Sequence, residues 1–191
     1  DVLTSFIITV VYSFVLFVGI VIILFTIVQL FDVMLSEKLV PYIFITIVGI
    51  FALPLFLARI PEINTKYHDE QYPKVLKVLL LYIVIPLIVA YTIILYVYFI
   101  KIIITANWPR GLVSHLVLWY SVVSVAVLFF ITPILKDNKL AFKFKSYFPK
   151  LILPILAMMF VAMWIRLKAY GITENRYYGL MLGIWVLGIM L

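Results

Sequence analysis

The chain has 191 residues, 67% of them hydrophobic and 12% charged, and a mean hydropathy of +1.26. Soluble domains carry about 25% charged residues, so a water-soluble globular fold is excluded. The net charge of +7 is assigned to loops that orient spans and meet anionic headgroups, not to nucleic acid. The chain has no cysteine, which removes disulfides, thiol catalysis and iron–sulfur ligation.

Apolar runs reach the roughly 20 residues a helix needs to cross a bilayer. Strands of a membrane barrel alternate apolar and polar residues over about ten positions, and Ile20-Val21-Ile22-Ile23-Leu24-Phe25 does not alternate. The expected fold is an all-α polytopic transmembrane helical bundle of about six spans, one transmembrane domain over 1–191. No cleavable signal peptide is visible. The chain opens on Asp1 without a Met and stops at Leu191 inside an apolar run, the pattern of an excerpt from a longer polypeptide.

The first span is expected over 5–30. Ser5, Thr9, Tyr12, Ser13, Gly19 and Thr26 fall within an arc of roughly 140° at the helical period, a face that serves close helix packing or lines a solvated path. Asp32, Glu37 and Lys38 form a polar connection, and the second span runs 41–60, with Pro41 in its first turn and Pro54 kinking it. The linker 62–72 contains His68-Asp69-Glu70, but three adjacent residues cannot all point inward, so no metal site is assigned. The third segment, about 75–105 with Lys74 and Lys77 interfacial, is too long for one simple crossing. From Pro73 to Thr105 its 33 residues would extend about 50 Å against a core of about 30 Å, and Pro86 is expected to kink it.

A turn, Asn107-Trp108-Pro109-Arg110-Gly111, precedes the fourth span, 112–135, with Ser114 and His115 in its first turn and Pro133 near its end. Residues 136–150 read as a basic-aromatic loop on the membrane surface. The fifth span is expected over 151–170 and the sixth over 176–191, where Gly179 and Gly183 give a small-xxx-small packing signal. With alternating crossings, nine Lys/Arg fall on one side and six on the other. The positive-inside rule puts the nine in the cytoplasm, so both termini are expected inside and the turns at Trp108 and Gly171 outside.

Those two turns assemble the candidate polar cluster: Trp108, Arg110, Ser114, His115, Arg166, Tyr170, Glu174, Asn175 and Arg176, with Lys168 and Thr173 nearby. An ionisable residue inside the membrane costs about 2.5–3.5 kcal/mol on insertion scales, so Arg166 is expected to face protein or water. Arg176 shares a face with Gly179 and Gly183. Gly171 suits a left-handed helix cap. Thr173 suits an N-cap, with Arg176 where a capping box would place Glu or Gln, and Glu174 complements the helix dipole. The motif therefore reads either as a capped helical hairpin or as a pocket for a phosphate, carboxylate or lipid headgroup. Ser114 and His115 would point about 100° apart on a helix, a poor nucleophile–base pair. No metalloprotease, nucleophile-elbow or P-loop motif occurs.

Trp108-Pro109-x-Gly111-x-x-Ser114, Pro133 and Arg166-x-x-x-Tyr170-Gly171-Ile172-Thr173-Glu174-Asn175-Arg176-Tyr177 resemble an uncharacterised bacterial multi-pass inner-membrane family, a domain of unknown function found in bacteria including the Bacteroidetes. By motif the resemblance covers about the last 100 residues, and by hydropathy the first 100. It implies a bacterial inner-membrane location, a longer parent with further spans, and no established activity or catalytic residue. The expected function is a non-enzymatic integral membrane protein, without cofactor, whose outer polar cluster binds an anionic ligand, lipid headgroup or partner protein. The alternatives are a transporter or its membrane subunit, and an enzyme acting on lipid-linked substrate.

Overall fold

The computed structural model describes residues 2–36, 38–58, 74–105, 112–135, 138–171 and 173–190. They form an all-α chain with no strand among the described residues. Five helices are long and apolar enough to cross a membrane: Val2–Phe31, Leu39–Ala58, Val75–Thr105, Val113–Ile134 and Lys139–Ala169. A shorter apolar helix follows at Arg176–Met190. The linker with His68-Asp69-Glu70 lies outside the described residues.

The elements are α1 (Val2–Phe31), α2 (Leu39–Thr46), a π-helical segment (Ile47–Ala52), α3 (Leu53–Ala58), α4 (Lys74–Val78), a second π-helical segment (Leu79–Val84), α5 (Ile85–Thr105), α6 (Leu112–Ile131) with a 3-10 turn (Thr132–Ile134), α7 (Lys139–Tyr170) and α8 (Glu174–Met190). Their contacts gather into two compact units. The first holds residues 1–28 and 32–87, the second residues 29–31 and 88–191.

In the first unit, both prolines expected to kink their spans follow a π turn. A proline ring collides with the carbonyl four residues back and supplies no N–H. Widening the turn shifts each bond by one residue there. The residue before each proline bonds five residues back: Leu53 N–H to the Val48 carbonyl ahead of Pro54, and Ile85 N–H to the Leu80 carbonyl ahead of Pro86. At the foot of the second of these helices, the buried Tyr12 hydroxyl donates to the Val75 carbonyl at 2.6 Å. Gly19 lets the Leu87 side chain approach α1, because a Cβ there would collide with Leu87 Cδ1. α1 ends at Asp32, whose N–H bonds the Val28 carbonyl at 3.0 Å and whose φ is 53°. Asp tolerates this left-handed conformation better than most residues.

The second unit differs from expectation at its basic-aromatic stretch, which is helical from Lys139 and continuous with the fifth span. Asn138 caps it, accepting the Leu140 N–H at 2.9 Å. Ala141, Phe144 and Phe148 are buried at offsets of three and seven, while Lys139, Lys143, Lys145 and Lys150 stay exposed. The charges hid an amphipathic helix. Within α7, Pro154 removes the N–H that the Lys150 carbonyl would accept and strains the next bond of the ladder. Tyr96 of α5 donates its hydroxyl to the neighbouring Leu151 carbonyl at 2.7 Å, the kind of rescue that makes proline tolerable in a membrane helix. Replacing Tyr96 with Phe should lower the stability of the detergent-solubilised protein by about 0.6 kcal/mol and at most ~1.7, the range of such bonds in membrane bundles. Thermal unfolding followed by circular dichroism measures it.

Candidate functional site

Two groups of polar side chains in the second unit stand out, one at a helix end and one inside. The first is built by the close approach of α6, α7 and α8. A Cβ placed on Gly179 of α8 would lie 3.1 Å from Met163 Cε of α7 and 3.3 Å from Leu118 Cδ1 of α6. These three residues therefore share one level. One turn further toward the same end lie Ser114 and His115 on α6, Arg166 on α7 and Arg176 on α8. Gly183 sets the next level down, where a Cβ would meet Met159 Cε at 2.8 Å and Phe160 at 3.1 Å.

The turn between α7 and α8 is closed from both sides. Gly171 caps α7 with φ 73° and ψ 179°, and its N–H bonds the Leu167 carbonyl at 3.0 Å. This is not the left-handed cap expected from the sequence but an extended positive-φ conformation that is essentially reserved for glycine. The Thr173 carbonyl accepts the N–H groups of Arg176 and Tyr177, both at 3.0 Å, which makes Thr173 the residue entering α8. Arg176 turns back and donates from a guanidinium N–H to the Gly171 carbonyl at 2.7 Å. One arginine thus stitches the end of α7 to the first turn of α8.

Around this turn Arg166 and Arg176 are half-buried, Glu174 and His115 exposed, and Ser114 buried at 7% exposure. Ser114 and His115 consequently face different surroundings. Lys168 holds its ammonium 5.5 Å from the centroid of the Trp164 ring, an exposed cation–π contact. Trp108 and Arg110, and the side chains of Tyr170 and Asn175, lie outside the described residues.

The second group is a buried aromatic and hydroxyl cluster joining α5, α6 and α7. Tyr91 and Tyr120 stack with centroids 5.0 Å apart, Tyr120 meets Phe148 at 6.3 Å, and Phe148 stacks on Phe144 at 4.5 Å. Thr92 gives its hydroxyl hydrogen to the Ile88 carbonyl at 2.7 Å, so at 2.5 Å from Tyr120 it is the acceptor of the phenol. Ser121 and Ser124 donate to the Val117 and Tyr120 carbonyls of their own helix at 2.6 and 2.7 Å. Each of these hydroxyls has a partner, as buried polar groups require. The cluster reads as a lock between helices.

A family model described as a domain of unknown function, DUF4153, matches residues 1–191. The chain belongs to the DUF4153 family. It is 26% identical over 175 residues to the uncharacterised protein PM1469 of Pasteurella multocida (strain Pm70), an alignment covering 91% of this chain and 30% of that protein. The DUF4153 chain thus spans about a third of the relative's length. No solved structure matches it. Apolar membrane-length helices and a bacterial relative make it a multi-pass bacterial membrane protein, in keeping with the inner membrane, since outer-membrane spans are barrels.

The aromatic cluster of this DUF4153 chain escaped sequence reasoning. Its one signal is depth, because Tyr91 and Tyr120 lie well inside their spans and not at the ends, where membrane tyrosines concentrate. Two substitutions probe the helix-end group. Gly171→Ala forces a side chain into a glycine-only conformation and should cost about 1–3 kcal/mol in thermal unfolding. Gly183→Leu should separate α7 from α8 and lower the melting temperature, whereas Gly188→Leu, where nothing lies within 4 Å of an added Cβ, should leave it unchanged.

Proposed function

We propose that this DUF4153 chain is a non-enzymatic, membrane-embedded binding module that takes up an anionic group, a phosphate or carboxylate, at the extracytoplasmic end of α6, α7 and α8. What supports this reading is that helical spacing puts Arg166, Arg176 and His115 one turn beyond the level at which Gly179 meets Met163 and Leu118. A guanidinium offers planar pairs of donors that match carboxylate and phosphate oxygens. Arg176 is held in place by the Gly171 carbonyl, so less side-chain freedom is lost when an anion arrives. The start of α8 adds the positive end of a helix dipole to the same place.

Other arrangements favour this reading over its rivals. Of Thr9, Ser13 and Thr26, the hydroxyls of a possible path along α1, all but Ser13 are committed to their own helix: Thr9 and Thr26 donate to the Ser5 and Ile22 carbonyls, each at 2.8 Å. Their hydrogens are spent locally and not offered to a passing solute. Ser114 is buried while His115 is exposed, which supports a binding role over nucleophilic catalysis.

The test is thermal stabilisation of the detergent-solubilised protein by dihexanoyl phosphatidylglycerol, by inorganic phosphate and by acetate, with dihexanoyl phosphatidylcholine as the zwitterionic control. At least one anion should stabilise the wild type where the control does not. Arg166→Gln should weaken the apparent affinity roughly tenfold, the equivalent of ~1.4 kcal/mol. Equal responses to anionic and zwitterionic lipid without response to either soluble anion, or an unchanged affinity in Arg166→Gln, would refute the reading.

A further inference from the structure

The start of α7 concentrates positive charge where a helix least favours it. Residues 136–150 hold five lysines and one acid, Asp137, and α7 itself contains no Asp or Glu. A helix N-terminus is already the positive end of its dipole, and cations are stabilised at the opposite end. Burial of apolar surface accounts for the inward face of this segment, Ala141, Phe144 and Phe148, but not for the lysines.

Their placement is regular. At about 100° per residue, Lys139, Lys143 and Lys150 fall within about 40° of one another, on the side opposite the three buried residues. All three lysines are exposed. Lys145 stands apart and donates to the Thr132 hydroxyl at 3.3 Å. Two aromatic side chains flank the lysine stripe, Tyr147 on one side and Phe142 on the other, each 64% exposed. Exposed rings beside lysines suit a membrane–water interface, where an amphipathic ring meets both phases.

Length puts the stripe at that depth. α7 has 32 residues and extends about 48 Å, close to the roughly 40–45 Å of a bilayer with its headgroups. Arg166 and Lys168 take one end of the helix, Lys139 and Lys143 the other. Lys150, about 17 Å from the start of the helix, has a stem long enough to reach back toward the surface. Pro149 fits the same depth. It offers no N–H to the Lys145 carbonyl, an omission that water or headgroups tolerate and hydrocarbon does not.

We propose that the lysine stripe of α7 is a docking strip for anionic phospholipid. Lys139, Lys143 and Lys150 meet the phosphates of the leaflet at that end, and Phe142 and Tyr147 sit between the headgroups. Charge and depth together choose the occupant. An acidic protein segment would match the lysines but leave both rings in water, whereas the headgroup layer supplies phosphate and a partly apolar surround at once. Lysine meets phosphate as a point charge on a flexible stem, so the strip selects lipid by charge and not by headgroup shape.

The chain has no cysteine, so Ser146→Cys, exposed beside the stripe, carries a single fluorophore. The purified, labelled full chain is reconstituted in phosphatidylcholine bilayers holding a small fraction of quencher lipid with a nitroxide near the top of one acyl chain. The quencher is either phosphatidylglycerol or phosphatidylcholine. Quenching should report phosphatidylglycerol enriched roughly fivefold at the label, the effect of about one lysine near a charged surface. The preference should vanish in about 1 M salt, where charges are screened beyond ~3 Å. Changing Lys139, Lys143 and Lys150 together to Gln should abolish it, and changing all three to Arg should keep it. Equal quenching by the two lipids, a preference that survives salt or the Gln variant, or its loss in the Arg variant overturns the proposal. So does a label that neither lipid quenches, the result if an acidic protein segment or another part of the polypeptide covers the stripe.

Discussion

Every backbone N–H and C=O that enters hydrocarbon must find its partner within the protein, because no water is there to supply one. Six prolines in membrane-length helices make this constraint acute, and the chain meets it by several routes. Ahead of Pro54 and Pro86 the helix widens into a six-residue π turn. Beside Pro154 a tyrosine from another helix reaches the strained carbonyl ladder. Along the spans, serine and threonine hydroxyls fold back on carbonyls four residues earlier. The two π turns share a sequence frame: Pro54-Leu55 with Ala58, and Pro86-Leu87 with Ala90, each following a π segment at the same offset. One local solution has been used twice, on consecutive segments.

The units spend their side chains differently. In the second, α6 and α7 bury 44% and 39% of their most apolar stretches, and the burial is specific: stacked rings, a phenol bonded to a threonine, and glycines at van der Waals limits against methionines. Between helices in lipid, packing contacts and hydrogen bonds replace hydrophobic driving force, which explains why this core carries so many hydroxyls and small residues. In the first unit, α1 and α2 with α3 bury only 11% and 6% of theirs. Those helices present most of their surface outward.

Much of the fold was legible in hydropathy, since a run of twenty apolar residues has few other uses. What charge obscured was the first third of α7, where Lys139, Lys143, Lys145 and Lys150 make a helix look like a loop while Ala141, Phe144 and Phe148 point inward. The helix-end group was legible in part. Alternating crossings bring Ser114 and His115 to the end that holds Arg166 and Arg176, but the bond from Arg176 to the Gly171 carbonyl depends on a backbone conformation no residue spacing specifies. The aromatic cluster was not legible. Thr92 and Tyr120 stand 28 residues apart on different helices, and their pairing follows from helix rotation, which the apolar composition of both spans leaves undetermined. The π turns were not legible either, because a proline alone announces a bend without saying which carbonyls move.

Lys101 of α5 reaches across to the end of α1, placing its ammonium 3.3 Å from the Leu30 carbonyl and 5.2 Å from the centroid of the Phe31 ring. A cation at the last carbonyls of a helix complements its dipole. This cap is supplied from 71 residues downstream. At ribosomal rates of about 5–20 residues per second, the first helix leaves the ribosome several seconds before the residue that finishes its end has been made. Its last turn must wait in the bilayer half-capped until Lys101 has been made and α5 has packed beside it.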